Sequence, residues 1–296
     1  MFITAKVENP QGEVLDLMSK RGSYVVERID GLNPPPATIN TNNIYGMDGA
    51  RLNSHYLGTR NIVVTMRLRG DQEASRQELY QFMDSNVPVR FYFQNRNRNV
   101  YIDGIVESIE DDMFVQTQTL MASIICPDPY FHDLIEKNVE LENSQNGFEF
   151  TLSINIDEPI EFSTYEENRE TEVIIDSQVE IPFEIEITTR QQLYYFTSFT
   201  IQNVLTGEKI GFAGWPNDDG FVPGDVIRIS TDPYHPTMTV KIGQTVYNRV
   251  PQMILGGSFF TLHPGRNLFA YKTNPEPGDA AFLDINLRFR NRYRGV

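Results

Sequence analysis

A single cysteine, Cys126, stands in 296 residues, so the chain can close no internal disulfide and no zinc site built on two of its own thiolates. Basic residues are scarce: 25 Lys and Arg against 40 Asp and Glu leave a formal net charge of −15. Duplex DNA is held by clustered cations that neutralise its phosphates, and this balance speaks against such binding. DNA passing close by remains compatible with it, because a negative wall repels the duplex. No apolar run approaches the roughly 18 residues of a spanning helix. The start, MFITAKVENPQGEVLDL, has no basic region followed by an apolar core. The expectation is a soluble protein made in the cytoplasm. His55, His132, His235 and His263 are scattered, without HExxH or His-x-His spacing, and GxSxG, a P-loop and GxGxxG after a strand are all missing. These absences predict no enzyme, no catalytic or metal residues and no cofactor.

What the chain does have is β alternation. An apolar fraction of 40%, with 19 Phe and 14 Tyr, argues for globular order, and the length suits two domains. In the first half MFITAKVE, SYVVERI, NIVVTMRLR, VPVRFYFQ, NVYIDGIVESIE and MFVQTQTLMASIIC alternate with period two between Gly, Pro, Asn and Asp clusters. One segment breaks that pattern. Residues 71–85 read as the single helix, with Asp71 as cap, Glu73 in the first turn and Leu79, Phe82 and Met83 as its apolar stripe. Residues 33–60, rich in Pro, Asn and Gly, read as a long excursion, an extended hairpin outside the core.

Cys126-Pro127-Asp128-Pro129-Tyr130-Phe131 punctuates the chain, since two prolines in three residues fit neither a helix interior nor an inner strand. Beyond it the composition shifts. Leu134 to Thr189 holds fifteen acidic residues and two basic ones, Lys137 and Arg169. The second half continues in strand-length segments, FEFTLSINI, VEIPFEIEIT, LYYFTSFTIQNV, EKIGFAG, DVIRIST, TMTVKIG, SFFTL, NLFAYKT and AFLDINLRFR, spaced as in a two-sheet sandwich. The fold class is therefore mainly β: two β-sandwich domains, residues 1–133 with the helix and hairpin, and residues 134–296.

Several groups invite chemistry. Cys126, Asp128, His132 and Asp133 are either a metal site or a linker with a buried thiol. The acid pairs Asp157/Glu158, Glu166/Glu167 and Asp218/Asp219 superficially suit glycoside hydrolysis, which needs one carboxyl raised by burial; solvated turns are the plainer account. Trp215, in GFAGWPNDDGF, either stacks on a sugar or partner or packs over a sandwich edge. At the C-terminus Arg288, Arg290, Arg292 and Arg294 alternate with other residues and, in a strand, share one face. That stripe is either a solvated face or the counterpart of the acidic stretch, in the same subunit or a neighbour.

Together these motifs resemble the distal tail proteins, the hub components of long-tailed bacteriophages and related prophages. Gly46-Met47-Asp48-Gly49-Ala50, then Arg60-Asn61-Ile62 and VVTMRLRG, are similar to the family's DGA segment, its arginine and the strand after it. CPDPYF is similar to its domain-closing motif, and the helix after Gly70 followed by VPVRFYF keeps its order. Gly207-Glu208, Pro223-Gly224-Asp225 and SFFTLHPGRN, with Pro264, Gly265 and Asn267, resemble its carboxy-terminal sandwich. The resemblance implies a hexameric ring at the virion tail tip. That ring is formed by six copies of the first domain, a β-sandwich with one helix and a protruding hairpin, and joins the tail tube protein to a tail-associated lysin or tip protein. DNA passes through it without specific binding. It also implies an outward second domain, galectin-like or carbohydrate-module-like, that carries receptor-binding machinery in some relatives. The alternative is a carbohydrate-binding adhesion module for host wall polysaccharide.

Overall fold

The computed structural model describes residues 4–19, 22–112, 114–141, 170–274 and 283–296. The expected strand FEFTLSINI and the pairs Asp157/Glu158 and Glu166/Glu167 lie outside the described residues. Two compact units divide the chain. One is Met1–Ile135 together with Asn291–Val296; the other is Glu136–Arg290. The last six residues therefore belong with the first unit, whereas the sequence groups all of 134–296 together.

The first unit runs β1 (Thr4–Glu8), β2 (Val14–Asp16), β3 (Tyr24–Asp30), β4 (Ala37–Asn43), β5 (Ala50–Leu57), β6 (Arg60–Leu68), α1 (Gln72–Phe82), β7 (Pro88–Gln94), β8 (Asn99–Asp111), β9 (Thr119–Cys126) and β10 (Phe131–Asp133). Alternation decides which face of each strand is buried. In β6 Ile62, Val64, Met66 and Leu68 point inward, and in β9 Leu120, Ala122, Ile124 and Cys126 do. The antiparallel order is β2-β1-β7-β8-β9-β6-β3, with β10 beside β8. Gly104 in β8 allows a close approach: a Cβ there would lie 2.6 Å from Ile124 Cγ2 and 2.9 Å from Cys126 Sγ. The helix forms where expected. Asp71 caps it by accepting from the Ala74 N–H (3.2 Å), and Leu79 and Met83 are fully buried. The strand expected from MFVQTQTLMASIIC starts only at Thr119, and Phe114 is left 98% exposed.

The second unit runs β11 (Lys137–Glu140), β12 (Glu170–Ile175), β13 (Phe183–Thr189), β14 (Ser198–Asn203), β15 (Lys209–Ala213), β16 (Val226–Ser230), β17 (Thr237–Ile242), β18 (Thr245–Asn248), β19 (Gly265–Asn274) and β20 (Leu283–Phe289). Its sheets are β11-β20-β13-β16-β17-β18 and β12-β19-β14-β15, and one apolar cluster from both forms its core. The expected strand SFFTL is not one; Leu262 makes only an isolated bridge with Ile181. The chain then returns to the first unit as β21 (Arg292–Tyr293), which pairs with β10.

Candidate functional site

Arg60, at the head of β6, is 2% exposed. Its side chain joins three segments remote in sequence. Nε donates to the Pro129 carbonyl (2.7 Å), Nη1 to the carbonyls of Asn33 (2.7 Å) and Gly31, and Nη2 to that of Arg294 (2.6 Å). The guanidinium also stands 4.5 Å from the centroid of the Phe131 ring. A planar fork with five N–H donors suits this task, where a lysine would supply a single point charge. Burial lowers the Arg60 pKa, opposed by the nearby Cys126 and Asp128. The motif arginine thus holds the CPDPYF segment, the root of the hairpin and the C-terminal tail in one node.

The tail is tied at further points. Arg98 Nη1 donates to the Gly295 carbonyl (2.6 Å) with its guanidinium 4.3 Å from the Tyr293 ring, and the Val296 N–H reaches the Leu32 carbonyl (3.2 Å). Arg292 lies 3.4 Å from Asp128, whose other partner is His132 Nε2 at 3.1 Å. Burial alone would push the Asp128 carboxyl up. The His132 hydrogen bond, the Arg292 and His132 charges and the Tyr130 N–H outweigh it and hold that carboxyl below the usual range. Asp133 instead accepts from the Tyr293 hydroxyl (3.4 Å). Cys126, Asp128, His132 and Asp133 therefore do not converge: Asp128 is engaged by an arginine and a histidine, Asp133 by a tyrosine. Burial pushes the Cys126 thiol up to about 12, with Arg60 opposing. We expect Cys126 to resist Ellman's reagent at pH 8 in the folded protein and to react with one equivalent after unfolding; fast reaction in the native state would contradict this burial.

The hairpin β4–β5 is exposed along both strands. At its tip Gly46 (φ +80°) and Gly49 (φ +88°) take left-handed conformations on either side of Asp48. The register makes the ribbon two-faced. Ala37, Ile39 and Thr41 stand opposite Leu57, His55 and Leu52, while Thr38, Asn40 and Asn42 face Tyr56, Ser54 and Arg51. A bulge at Asn53 brings Leu52 to the Ile39 side; unbroken alternation from Ser54 would have put it on the polar side. Ile39 and Leu52 remain more than half exposed, and a two-stranded ribbon is marginal in water by itself.

In the second unit Trp215 turns inward. Its ring lies 4.9 Å from Phe196 and 5.0 Å from Phe221, and its N–H donates to the Gly220 carbonyl (2.8 Å). Both its face and its polar end are thus engaged within the unit. Asn267 is fully buried and satisfied: its Oδ1 accepts from the His263 N–H and the Asn203 amide, and its Nδ2 donates to the His263 carbonyl (2.8 Å). It fixes the turn through Pro264 and Gly265. The His263 ring bridges Glu180 (3.2 Å) and Glu208 (3.1 Å), so the HPGRN and Gly207-Glu208 motifs meet.

The arginine stripe is divided. Arg288 pairs with Glu186 (3.3 Å) and Arg290 with Glu136 (3.4 Å) in the second unit, both acids from the acidic stretch, whereas Arg292 and Arg294 belong to the first. Arg98 and the return of the tail escaped the sequence; the one signal was the alternation from Leu283 to Tyr293, broken by the polar Asn291 at an inward position.

Residues 14–126 match the family model described as the phage tail protein RIFT-related domain. No curated protein matches the sequence. The chain is similar to the crystal structure of phage SPP1 Dit, described as a paradigm of the hub adsorption apparatus in phages infecting Gram-positive hosts. Identity is 13% and the TM-score 0.66, over 97% of this chain and 98% of that one. A chain of the phage P2 baseplate, in its activated conformation with Ca, also matches at 14% identity and TM-score 0.49, over 99% of each.

Proposed function

We propose that this chain, a phage tail protein with the fold of Dit, is the distal tail hub: a structural ring at the virion tail tip with no catalytic role. Six copies would close the ring through the first unit, joining the tail tube protein on one side to a tail-associated lysin or tip protein on the other. The observation that carries this reading is the hairpin. Its apolar face, Ile39 with Leu52, is exposed on a domain that matches a phage tail family. A heterologous contact repeated around a closed ring would cover it. Six copies at −15 each sum to about −90, and whatever part of that charge lines the lumen would discourage DNA from adhering. The second unit would face outward, where receptor-binding proteins attach.

Sedimentation velocity over a wide concentration range tests the ring. Six times 34.0 kDa predicts a species near 204 kDa. A monomer at every concentration, persisting when tube and tip proteins are added, would overturn it. The double substitution Ile39→Asp with Leu52→Asp is expected to weaken assembly at least tenfold. It should shift the melting of the first unit by no more than about 0.5 kcal/mol, because both side chains are exposed. Full assembly by that variant would remove the hairpin from the interface.

A further inference from the structure

Asp-Gly pairs occur four times in the chain, at 30–31, 48–49, 103–104 and 219–220. Each sets a carboxyl beside the backbone nitrogen of a residue without Cβ, so that nitrogen can reach the side-chain carbon of its predecessor. Whether it does depends on how firmly the backbone is held. Ring closure needs a near-attack arrangement that hydrogen-bonded, packed backbone visits only by opening locally.

Three of the pairs are locked. Asp30 ends β3 in register with Val63, and its carboxylate accepts from Arg28 Nε (2.7 Å). The Gly31 carbonyl accepts from Arg60, and a Cβ at Gly31 would collide with the Asn61 carbonyl. Asp103 and Gly104 lie inside β8, opposite Arg90 and Val89 of β7, and Arg90 grips the Asp103 carboxylate through Nε (2.6 Å) and Nη2 (3.0 Å). The Asp219 carbonyl accepts from Gln192 Nε2 (2.9 Å) and the Gly220 carbonyl from the Trp215 N–H (2.8 Å), with Gly220 pressed against the Leu193 backbone. Asp48 and Gly49 are held by none of these devices. They lie beyond Asn43 and Ala50, the last pair of the ribbon, and both are exposed. The turn's own backbone hydrogen bond, from the Met47 N–H to the Ile44 carbonyl (3.2 Å), closes just before them. A Cβ at Gly49 would meet nothing within 4 Å.

We propose that, among these Asp-Gly pairs, Asp48 is the selective site of spontaneous isoaspartate formation, with Gly49 supplying the attacking nitrogen. The Gly49 nitrogen bonds to Asp48 Cγ, while its proton and the carboxyl hydroxyl leave as water and a succinimide ring closes. Water then adds to either imide carbonyl. Opening at the main-chain carbonyl of Asp48 breaks its bond to the Gly49 nitrogen and leaves the chain joined through Cγ. The net change is an isomerisation, so no oxidant or cofactor is consumed. One extra carbon enters the main chain between Asn43 and Ala50, and the freed carboxylate keeps the formal charge. The tip thereby lengthens at constant mass.

The test ages the full chain at neutral pH for several weeks, folded and in parallel in guanidinium chloride. Isoaspartate is then located residue by residue by electron-transfer fragmentation. Asn146-Gly147 lies outside the described residues and is scored apart. In the folded chain Asp48 should isomerise at least about tenfold faster than Asp30, Asp103 or Asp219, and unfolding should bring the four rates together, because the locks are tertiary. Asp48→Glu should abolish the product at the tip, since the larger ring closes far more slowly. Equal rates in the folded chain, a faster rate at any of the other three, no isoaspartate at Asp48, or a spread that survives unfolding would each overturn the proposal. Sedimentation reports on the ring separately, so either reading can fail alone.

Discussion

Arg60→Met is expected to destabilise the first unit by about 3–5 kcal/mol. Methionine nearly matches the length of the aliphatic stem but removes every donor. The carbonyls of Pro129, Gly31, Asn33 and Arg294 then lose a charged partner in a node that is 2% exposed. Each unsatisfied buried acceptor costs about 1–3 kcal/mol, less where water can enter. The contact over Phe131 adds roughly 0.5–2 kcal/mol. Arg60→Lys should recover only part of this, because an ammonium cannot span carbonyls from three segments at once. Calorimetry should show the transition of the first unit falling while that of the second stays in place. A loss below about 1 kcal/mol would mean that the node forms after the fold is already secured.

Deleting Asn291–Val296 is expected to have an effect at least as large, and again on the first unit, although the cut lies next to the second. Truncation removes β21 from the edge of β10, strips Arg60 of the Arg294 carbonyl and takes Tyr293 from beneath Arg98. It also removes Arg292 from Asp128. The Asp128 carboxyl is held below its ordinary range, so its contribution is fully present above the unfolded value of roughly 3.9 and is lost as pH falls through the lowered one. Without Arg292 that carboxyl rises toward its ordinary range and the contribution shrinks. The stability gap between intact and truncated proteins should therefore narrow as pH drops below about 4. A gap constant from pH 7 to pH 2 would mean that Asp128 and Arg292 are not coupled. A truncated chain melting like the intact one would mean that the tail merely lies on the surface.

The legibility of the fold varied with the kind of signal. Period-two alternation located β6, β7 and β13 well, because one face of each is buried and the side-chain period has no alternative reading. The helix was legible through its cap. The sequence places residues 33–60 outside the core; the exposed hairpin strands bear that out and the buried Arg60 at its root does not, and the hairpin's two-faced character depends on the Asn53 bulge, which follows from pairing and leaves no mark in either strand alone. The tail protein resemblance drawn from short motifs agrees with the phage tail domain at 14–126 and with the Dit fold. SFFTL failed as a strand because an apolar run reports burial without reporting pairing.

The candidate sites follow the same division. The arginine stripe was read as one face of one strand, and the alternation is real. The chain nevertheless changes units between Arg290 and Asn291, where the only local mark is a polar residue at an inward position. Trp215 reads from the sequence as either a platform or packing; in the structure it is partly buried and packs against three phenylalanines.

By itself the sequence determined the class of the fold: mainly β and acidic, with one helix among the described residues, and motifs that resemble those of a phage tail protein. Those properties rest on composition, alternation and caps, each set by residues near one another in the chain. The tertiary structure alone decided that Arg60, Pro129 and Arg294 share one node and that Glu186 lies between Arg228 and Arg288. Such contacts join residues dozens to hundreds of positions apart. They exist only once the strands have chosen partners and register, a choice made by the whole buried core at once.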